Sequence, residues 1–309
     1  MTVCVGVDGG QSGLRLAVAG TDLVADATGF SFAASDPYGE QLEAITSCWE
    51  EVGRPGPVDV VALGLTGAPS PGAERERFAA SVAGILDATE VRLGADMVTA
   101  HAGALPDAHG VVLTAGTGVA CLAVDRERDL VHRVDAWGYL FGDDGSSFAV
   151  GRAGIAAVLR AQDGRGPATS LTAAATRRYG PAEQLTHRLY TSRTAVADIA
   201  AFAVDVDSAA GEDDPVAAAI VEGAAGELVH TVETAAEAVR AGDRVPVAGT
   251  GRWFAAPFLH RAFVERLQRA SRRCLVPAAG SGLDGACRLA AAPDTGPYAA
   301  LMLTHRAGP

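Results

Sequence analysis

Apolar residues along the 309-residue chain follow two spacings, and the order in which they alternate predicts the fold. Short apolar runs at Val3–Val7, Leu14–Ala19 and Leu23–Ala27, joined by turns rich in Gly, Gln, Ser and Asp, read as three strands linked by tight hairpins. Over Tyr38–Val52 the apolar residues Leu42, Ile45, Trp49 and Val52 recur on one helical face. The run Val58–Leu65 reads as a central buried strand. A helix near Ala73–Ala88, a strand near Val91–Leu93 leading to Asp96, and a short helix over Val98–Leu105 follow. Strands alternating with helices in this order predict an α/β fold with a mixed sheet.

The second half begins as the first does. Gly110–Thr114, Val119–Val124 and Leu130–Val134 again make three short strands, and the first turn is again rich in glycine. The first copy reads Asp8-Gly9-Gly10-Gln11-Ser12-Gly13, the second Ala115-Gly116-Thr117-Gly118. The pattern predicts a duplicated unit, with domains over residues 1–109 and 110–309. A mostly helical insertion is expected over about 146–240, with helices at Ser146–Gln162, Ser170–Tyr179, Thr194–Asp205 and Pro215–Val239. The core then resumes with a strand at Val245–Ala248, a helix over Trp253–Arg273, a strand at Leu275–Pro277 and a closing helix near Leu283–Ala291. Residues after Pro293 carry Pro and Gly and are expected to fray or wrap the surface.

Composition narrows the chemistry. All 25 basic residues counted as Lys+Arg are Arg, and there is no Asn. Chemistries that need a lysine amine are excluded: a Walker-type phosphate lysine, the strand lysine of protein kinases, a pyridoxal Schiff base. Phosphate handling would have to use backbone amides, hydroxyls, Arg and metal. A net charge of −12 argues against nucleic acid or an anionic membrane as partner. The five cysteines are scattered, with no C-x-x-C, as expected of reduced thiols in a cytoplasm. The first eight residues lack the basic region of a signal peptide, and no apolar stretch reaches the roughly 18 residues of a membrane span.

The two glycine turns are the first candidate site. Glycine tolerates positive φ and close approach, so a turn holding Gly9, Gly10 and the Ser12 hydroxyl can converge backbone N–H groups on an anion. One such turn alone is an ordinary hairpin. Two at equivalent places in a duplicated unit could clasp a polyphosphate. Asp8, just before the first glycines, is either an Asx-turn residue or a carboxylate placed to hold Mg²⁺ through water.

Five segments taken together resemble the N-acetylglucosamine kinase branch of the BadF/BadG/BcrA/BcrD ATPase family, within the sugar kinase, actin and Hsp70 superfamily. They are Gly6-Val7-Asp8-Gly9-Gly10-Gln11-Ser12; Gly116-Thr117-Gly118; Asp135-Ala136-Trp137-Gly138; Gly142-Asp143-Asp144-Gly145-Ser146; and Asp163-Gly164-Arg165-Gly166-Pro167 with Thr169. The resemblance covers Val3 to about Ala291. It implies two RNase H-like (actin-like ATPase) domains with a cleft between them, ATP and Mg²⁺ as cofactors, and phosphate transfer to a sugar hydroxyl, most often that on C6. It places phosphate on Gly9, Gly10, Gln11, Ser12, Gly116, Thr117 and Gly118, and adenosine on Gly249 and Thr250. The sugar falls to Trp137, Gly138 and Asp143, Mg²⁺ to Asp8, and general-base catalysis to Asp96, which would also touch the sugar. A small-molecule sugar or aminosugar is the implied partner, and a homodimer is left open.

These assignments suit the chemistry. Phosphoryl transfer asks mainly for positioning and charge stabilisation, and an attacking hydroxyl needs a carboxylate to take its proton. Asp96, at a strand end and helix start, is otherwise a helix N-cap. Asp143 could bind sugar hydroxyls or attract a protonated amine; Trp137 could stack on a sugar face or belong to the core. The family's sugar-contacting Asn has no counterpart in Thr28–Asp36, Ala136 replaces the usual glycine before Trp-Gly, and Phe148-Ala149 stands for an aromatic pair. N-acetylglucosamine and free glucosamine both stay open as substrates. The rival readings are an ATPase that activates a radical dehydratase, which would want a cluster-binding cysteine pair, and a non-catalytic sugar sensor, which needs no base. Gly280-Ser281-Gly282-Leu283-Asp284-Gly285 matches G-x-G-x-x-G but is read as close strand–helix packing, because too little chain follows for a dinucleotide fold.

Overall fold

A computed structural model describes residues 2–10, 13–29, 36–240, 245–271 and 273–308. In chain order, the first unit holds β1 (Cys4–Gly10), β2 (Gly13–Val18), β3 (Val24–Ala27), α1 (Pro37–Glu51), β4 (Val58–Leu65), α2 (Ala73–Leu86), β5 (Ala88–Gly94) and α3 (Asp96–Ala104). There follow β6 (His109–Ala115), β7 (Val119–Asp125), β8 (Leu130–Asp135), α4 (Ser147–Gln162), α5 (Leu171–Tyr179), α6 (Ala182–Thr191), α7 (Ala195–Ala201), α8 (Ala203–Gly211) and α9 (Pro215–Ala238). The chain closes with β9 (Pro246–Thr250), α10 (Pro257–Ala270), β10 (Cys274–Val276), α11 (Gly282–Ala291) and β11 (Leu303–Arg306).

The expected α/β architecture is present as two sheets. One has the order β11-β5-β4-β1-β2-β3, the other β10-β9-β6-β7-β8. Apart from β11 the two orders correspond strand for strand, which is the duplication read from the glycine hairpins. In the first sheet β1 runs antiparallel to β2 and parallel to β4, and β4 runs parallel to β5. The apolar run of β4 lies in the middle and is buried along nearly its whole length, packed with Ile45 and Trp49 of α1 and Phe78 and Val82 of α2.

Compact units divide the chain differently from the expected boundary. Residues 1–112, 124–131 and 277–309 form one unit and residues 113–123 and 132–276 the other. The C-terminal segment therefore returns to the first unit instead of ending the second. It does not fray: β11 pairs antiparallel with β5, Leu303 opposite Leu93, and Tyr298 is buried with its hydroxyl 2.8 Å from His101 Nδ1. Burial lowers His101 to a pKa of about 4, so the ring stays neutral.

Among the described residues six helices, α4–α9, lie between β8 and β9. The expected helix Thr194–Asp205 is two, breaking at Phe202, and α6 was not foreseen. The expected helix from Trp253 starts as a 3-10 turn over Arg252–Ala255, and α10 begins at Pro257, where a ring without an N–H suits a first helical turn and not an interior. The glycines of the 280–285 motif do serve packing. A Cβ on Gly103 of α3 would lie 1.9 Å from Ser281 O, and one on Gly285 of α11 would lie 1.9 Å from Thr99 O, so the two helices meet backbone to backbone.

Candidate active site

In the first unit, hairpin register sets the site. Pairing of β1 with β2 places Asp8 opposite Arg15, and Arg15 Nη2 donates to Asp8 Oδ2 at 3.0 Å. Thr99 Oγ1 lies 3.3 Å from Asp8 Oδ1 and 2.9 Å from the carbonyl oxygen of Asp96. Burial pushes the Asp8 carboxyl up, with Arg15 opposing and the Asp96 charge adding to the rise. The N-terminus of α11 closes over the same carboxylate: a Cβ on Gly282 would lie 2.4 Å from Asp8 Oδ1.

Asp96 is the first residue of α3. Its Oδ1 accepts from Met97 N at 2.9 Å and its Oδ2 from Thr66 Oγ1 at 2.5 Å. Burial raises its pKa, and these two donors oppose the rise. Asp8 and Asp96, predicted in separate motifs, thus share one cluster through Thr99. Arg15, Thr66 and Thr99 were missed. The Arg15 signal lay in the hairpin: Asp8 and Arg15 each stand two residues from the paired Gly10 and Gly13. Thr66 had none, because its role comes from packing between distant segments; the bond of Thr99 to Asp96 O is local, but its reach to Asp8 spans 91 residues and had no signal either.

Of the two glycine properties expected here, positive φ and close approach, only the second is used. Gly9, Gly10, Gly116 and Gly118 are absent from the positive-φ residues, so the predicted left-handed nest is not their purpose. Close approach is: a Cβ on Gly10 would lie 2.7 Å from Thr66 Oγ1, and one on Gly118 would lie 2.6 Å from Asp143 Oδ2. Gln11 and Ser12 lie outside the described residues.

In the second unit the turn 116–118 directs its carbonyls at the start of α4, with Ser147 N donating to Gly116 O and Phe148 N to Thr117 O. The N–H groups of Thr117 and Gly118 have no partner among the described residues, Thr117 is exposed, and the space above Gly116 is open. Unpartnered amides beside open space fit an anion. Asp143 is 7% exposed; its Oδ1 accepts from Val119 N at 2.9 Å. Burial raises its pKa against that hydrogen bond, and the charges of Asp135 and Asp144 add to the rise. One face of the expected sugar ligand is therefore engaged in holding the turn. Asp135, also missed, closes the loop by accepting from Asp143 N at 3.1 Å. Asp135, Ala136 and Asp143 all have positive φ, backbone strain of the kind that clusters at functional sites. Trp137 is 66% exposed, so it is not core, and its ring lies under the Arg133 guanidinium at 4.4 Å. Gly138, at φ +78°, is open to solvent.

Thr250 Oγ1 lies 2.9 Å from Thr114 Oγ1. Over Gly249 the room is taken by the ring of Phe254, 2.5 Å from where a Cβ would stand. Among the described residues no group of three or more His, Cys, Asp or Glu could hold a metal by protein ligands alone. Mg²⁺ held chiefly by phosphate and water needs only one or two carboxylates, and Asp8 fits that smaller demand.

The sequence profile of the BadF/BadG/BcrA/BcrD ATPase family matches residues 5–280. The chain is 31% identical over 144 residues to the N-acetylmuramic acid/N-acetylglucosamine kinase of Clostridium acetobutylicum, covering 46% of this chain and 47% of that protein. It is 44% identical over 63 residues to the N-acetyl-D-glucosamine kinase of Dictyostelium discoideum, covering 20% and 19%. The match thus spans about half the first relative's length and about a fifth of the second's. A solved structure from Chromobacterium violaceum, provisionally named an N-acetylglucosamine kinase, superimposes with a TM-score of 0.74 at 24% identity over 94% of this chain and 99% of that one. A similarly named structure from Porphyromonas gingivalis gives 0.71 at 17% identity over 92% and 97%. These two establish a shared fold.

Proposed function

Because the chain belongs to the BadF/BadG/BcrA/BcrD ATPase family, we propose that it is a kinase that transfers a phosphoryl group from ATP to a sugar hydroxyl, the 6-hydroxyl of N-acetylglucosamine or glucosamine. The observation that carries the reading is the carboxylate pair of the first unit: the Asp96 charge acts on Asp8, and Thr99 Oγ1 reaches both the Asp8 carboxylate and the main-chain carbonyl oxygen of Asp96. Two carboxylates with different partners can divide two tasks.

Asp96 is the general base. Its oxygens each accept one protein hydrogen bond and keep lone pairs for the proton of the attacking hydroxyl. Asp8 would hold Mg²⁺ through water, and its pairing with Arg15 favours the ionised carboxylate against the burial that raises it. When bound, ATP and its Mg²⁺ supply the electrophilic phosphoryl group and neutralise charge on the phosphates. The free N–H groups of Thr117 and Gly118 donate to phosphate oxygens, the work a lysine does elsewhere, with Gly9, Gly10, Gln11, Ser12 and Gly116 on the phosphate side. Gly249 and Thr250 lie on the adenosine side; Phe254 over Gly249 gives that side an aromatic wall.

Trp137, Gly138 and Asp143 form the sugar side. The exposed Trp137 ring supports stacking on a sugar face, and the names of the two curated relatives support an acetylated aminosugar. The missing Asn keeps free glucosamine in the reading. A cytoplasmic enzyme with a small-molecule acceptor completes it. No helix among the described residues is long and apolar enough to cross a membrane, and the net charge of −12 disfavours nucleic acid.

The test is ADP release with N-acetylglucosamine, glucosamine, N-acetylmuramic acid, N-acetylmannosamine, glucose and aminocyclitols. Sugar-dependent ADP from an aminosugar is the expected result; none from any acceptor overturns the reading.

A further inference from the structure

We propose that Thr66 is a positioning residue whose hydroxyl holds the Asp96 carboxylate in its proton-accepting orientation. The inference rests on the kinase reading above, in which Asp96 is the base.

Thr66 stands immediately after β4, and its backbone is fixed on both sides. Its N–H donates to Gly9 O at 2.9 Å, and its carbonyl oxygen accepts from Gln41 Nε2 at 3.3 Å. Gln41 is 1% exposed, and its Oε1 has no hydrogen-bond partner among the described residues. An apolar side chain there would avoid that orphaned acceptor; the amide is retained where its one bond locates Thr66.

From this anchored backbone the hydroxyl reaches Asp96 Oδ2 at 2.5 Å. An ionised carboxylate only accepts, so Thr66 is the donor. The terminal torsion of an aspartate is broad and two-fold, and its oxygens exchange unless each is held. Met97 N holds Oδ1 at 2.9 Å. Thr66 is the donor that holds Oδ2, and with both in place the plane of the carboxylate is set. The same donor favours the ionised form that a base requires, against the burial that raises this carboxyl.

A purely structural role competes with this one, because Thr66 Oγ1 also packs where a Cβ on Gly10 would stand, 2.7 Å away. The experiment separates the two by comparing Thr66→Ser with Thr66→Ala. Both lack the methyl group and neither overfills the site; they differ only in the hydroxyl. Steady-state kcat, the KM values for sugar and ATP, the pH dependence of kcat/KM and thermal melting are measured for both, with Asp96→Asn as reference. Asp8 and Arg15, the charged neighbours, are untouched in both.

Thr66→Ala is expected to lose about tenfold or more in kcat, part of the 10²–10⁴ that a positioned base contributes, while both KM values change little. The acid limb of its kcat/KM profile should move to higher pH. Thr66→Ser should restore most of kcat and the original limb. Equal kcat and an unmoved limb in the two variants would overturn the proposal, as would a loss in Thr66→Ala tracked entirely by its melting temperature. Turnover retained in Asp96→Asn would instead overturn the reading beneath it. Should Thr66→Ala fail to fold, Thr66→Val against wild type removes the hydroxyl while keeping the side chain's shape and makes the test instead.

Discussion

The Asp143 carboxylate lies directly over Gly118: a Cβ there would come within 2.6 Å of Asp143 Oδ2, while Oδ1 accepts from Val119 N at 2.9 Å. The second glycine turn is therefore shaped by a carboxylate 25 residues further along the chain. Gly118→Ala is expected to displace that carboxylate and disorder the two free amides. The ATP KM should rise about tenfold, or 1.4 kcal/mol. Asp143→Asn keeps an acceptor for Val119 N and should raise the ATP KM less. Parallel ATP titrations check both.

Asp8 has two protein partners, Arg15 and Thr99, and a buried environment that raises its pKa. Asp8→Asn preserves the shape and removes the charge. The protein should fold, yet need a higher Mg²⁺ concentration for half-maximal rate and lose about tenfold or more in kcat, on the scale of a lost electrostatic contact in phosphoryl transfer. Rate against Mg²⁺ concentration at saturating ATP measures this.

Gly103 faces Ser281 O at 1.9 Å from an added Cβ, with no flexible side chain to give way. Gly103→Ala should destabilise the fold by about 1–3 kcal/mol, as overpacking does. It should also push the N-terminus of α11 away from Asp8, so that activity falls further than melting alone explains. Thermal unfolding and kcat measured on the same preparation distinguish the two effects.

Asp214 caps α9 through Val216 N and Ala217 N and accepts from Thr169 Oγ1, Ser170 N and Ser170 Oγ. Burial alone would raise its pKa, but these donors outweigh it and hold the carboxyl at about 2, below the ordinary 3.8. The folded state thus favours the ionised form, so this stabilisation is complete above the ordinary carboxylate value and is lost as pH falls through about 2. Asp214→Ala should cost about 1–2 kcal/mol near neutral pH, the scale of a lost N-cap, and flatten the acid limb of stability between the two pKa values. Denaturant unfolding from pH 7 to pH 2.5 checks the sign.

Much of the fold was legible because it follows local period. Val58–Leu65 read as a buried strand and is β4; the repeated hairpins read as a duplication and give two sheets of matching order. The exception, β11, pairs Leu303 with Leu93, and no local pattern in four residues after a Pro- and Gly-containing segment announces a partner so far back. Sequence named Asp8, Asp96, Asp143 and both glycine turns as candidates, but expected of the glycines a positive φ that they do not adopt. Close approach was expected, but not the side chains that make it: Thr66 and Asp143 come from distant segments. Thr66 was unreadable for the same cause: its value lies in a hydroxyl brought to Asp96 across 30 residues.

The central claim is that this chain moves phosphate to a sugar with Asp96 as base, and Asp96→Asn tests it most directly. Sugar-dependent ADP release and ATP binding should be measured side by side on wild type and variant. The account expects the variant to fold and bind ATP while its sugar-dependent turnover falls about 10²-fold or more, the contribution of a positioned base. Near-normal turnover in Asp96→Asn would contradict it.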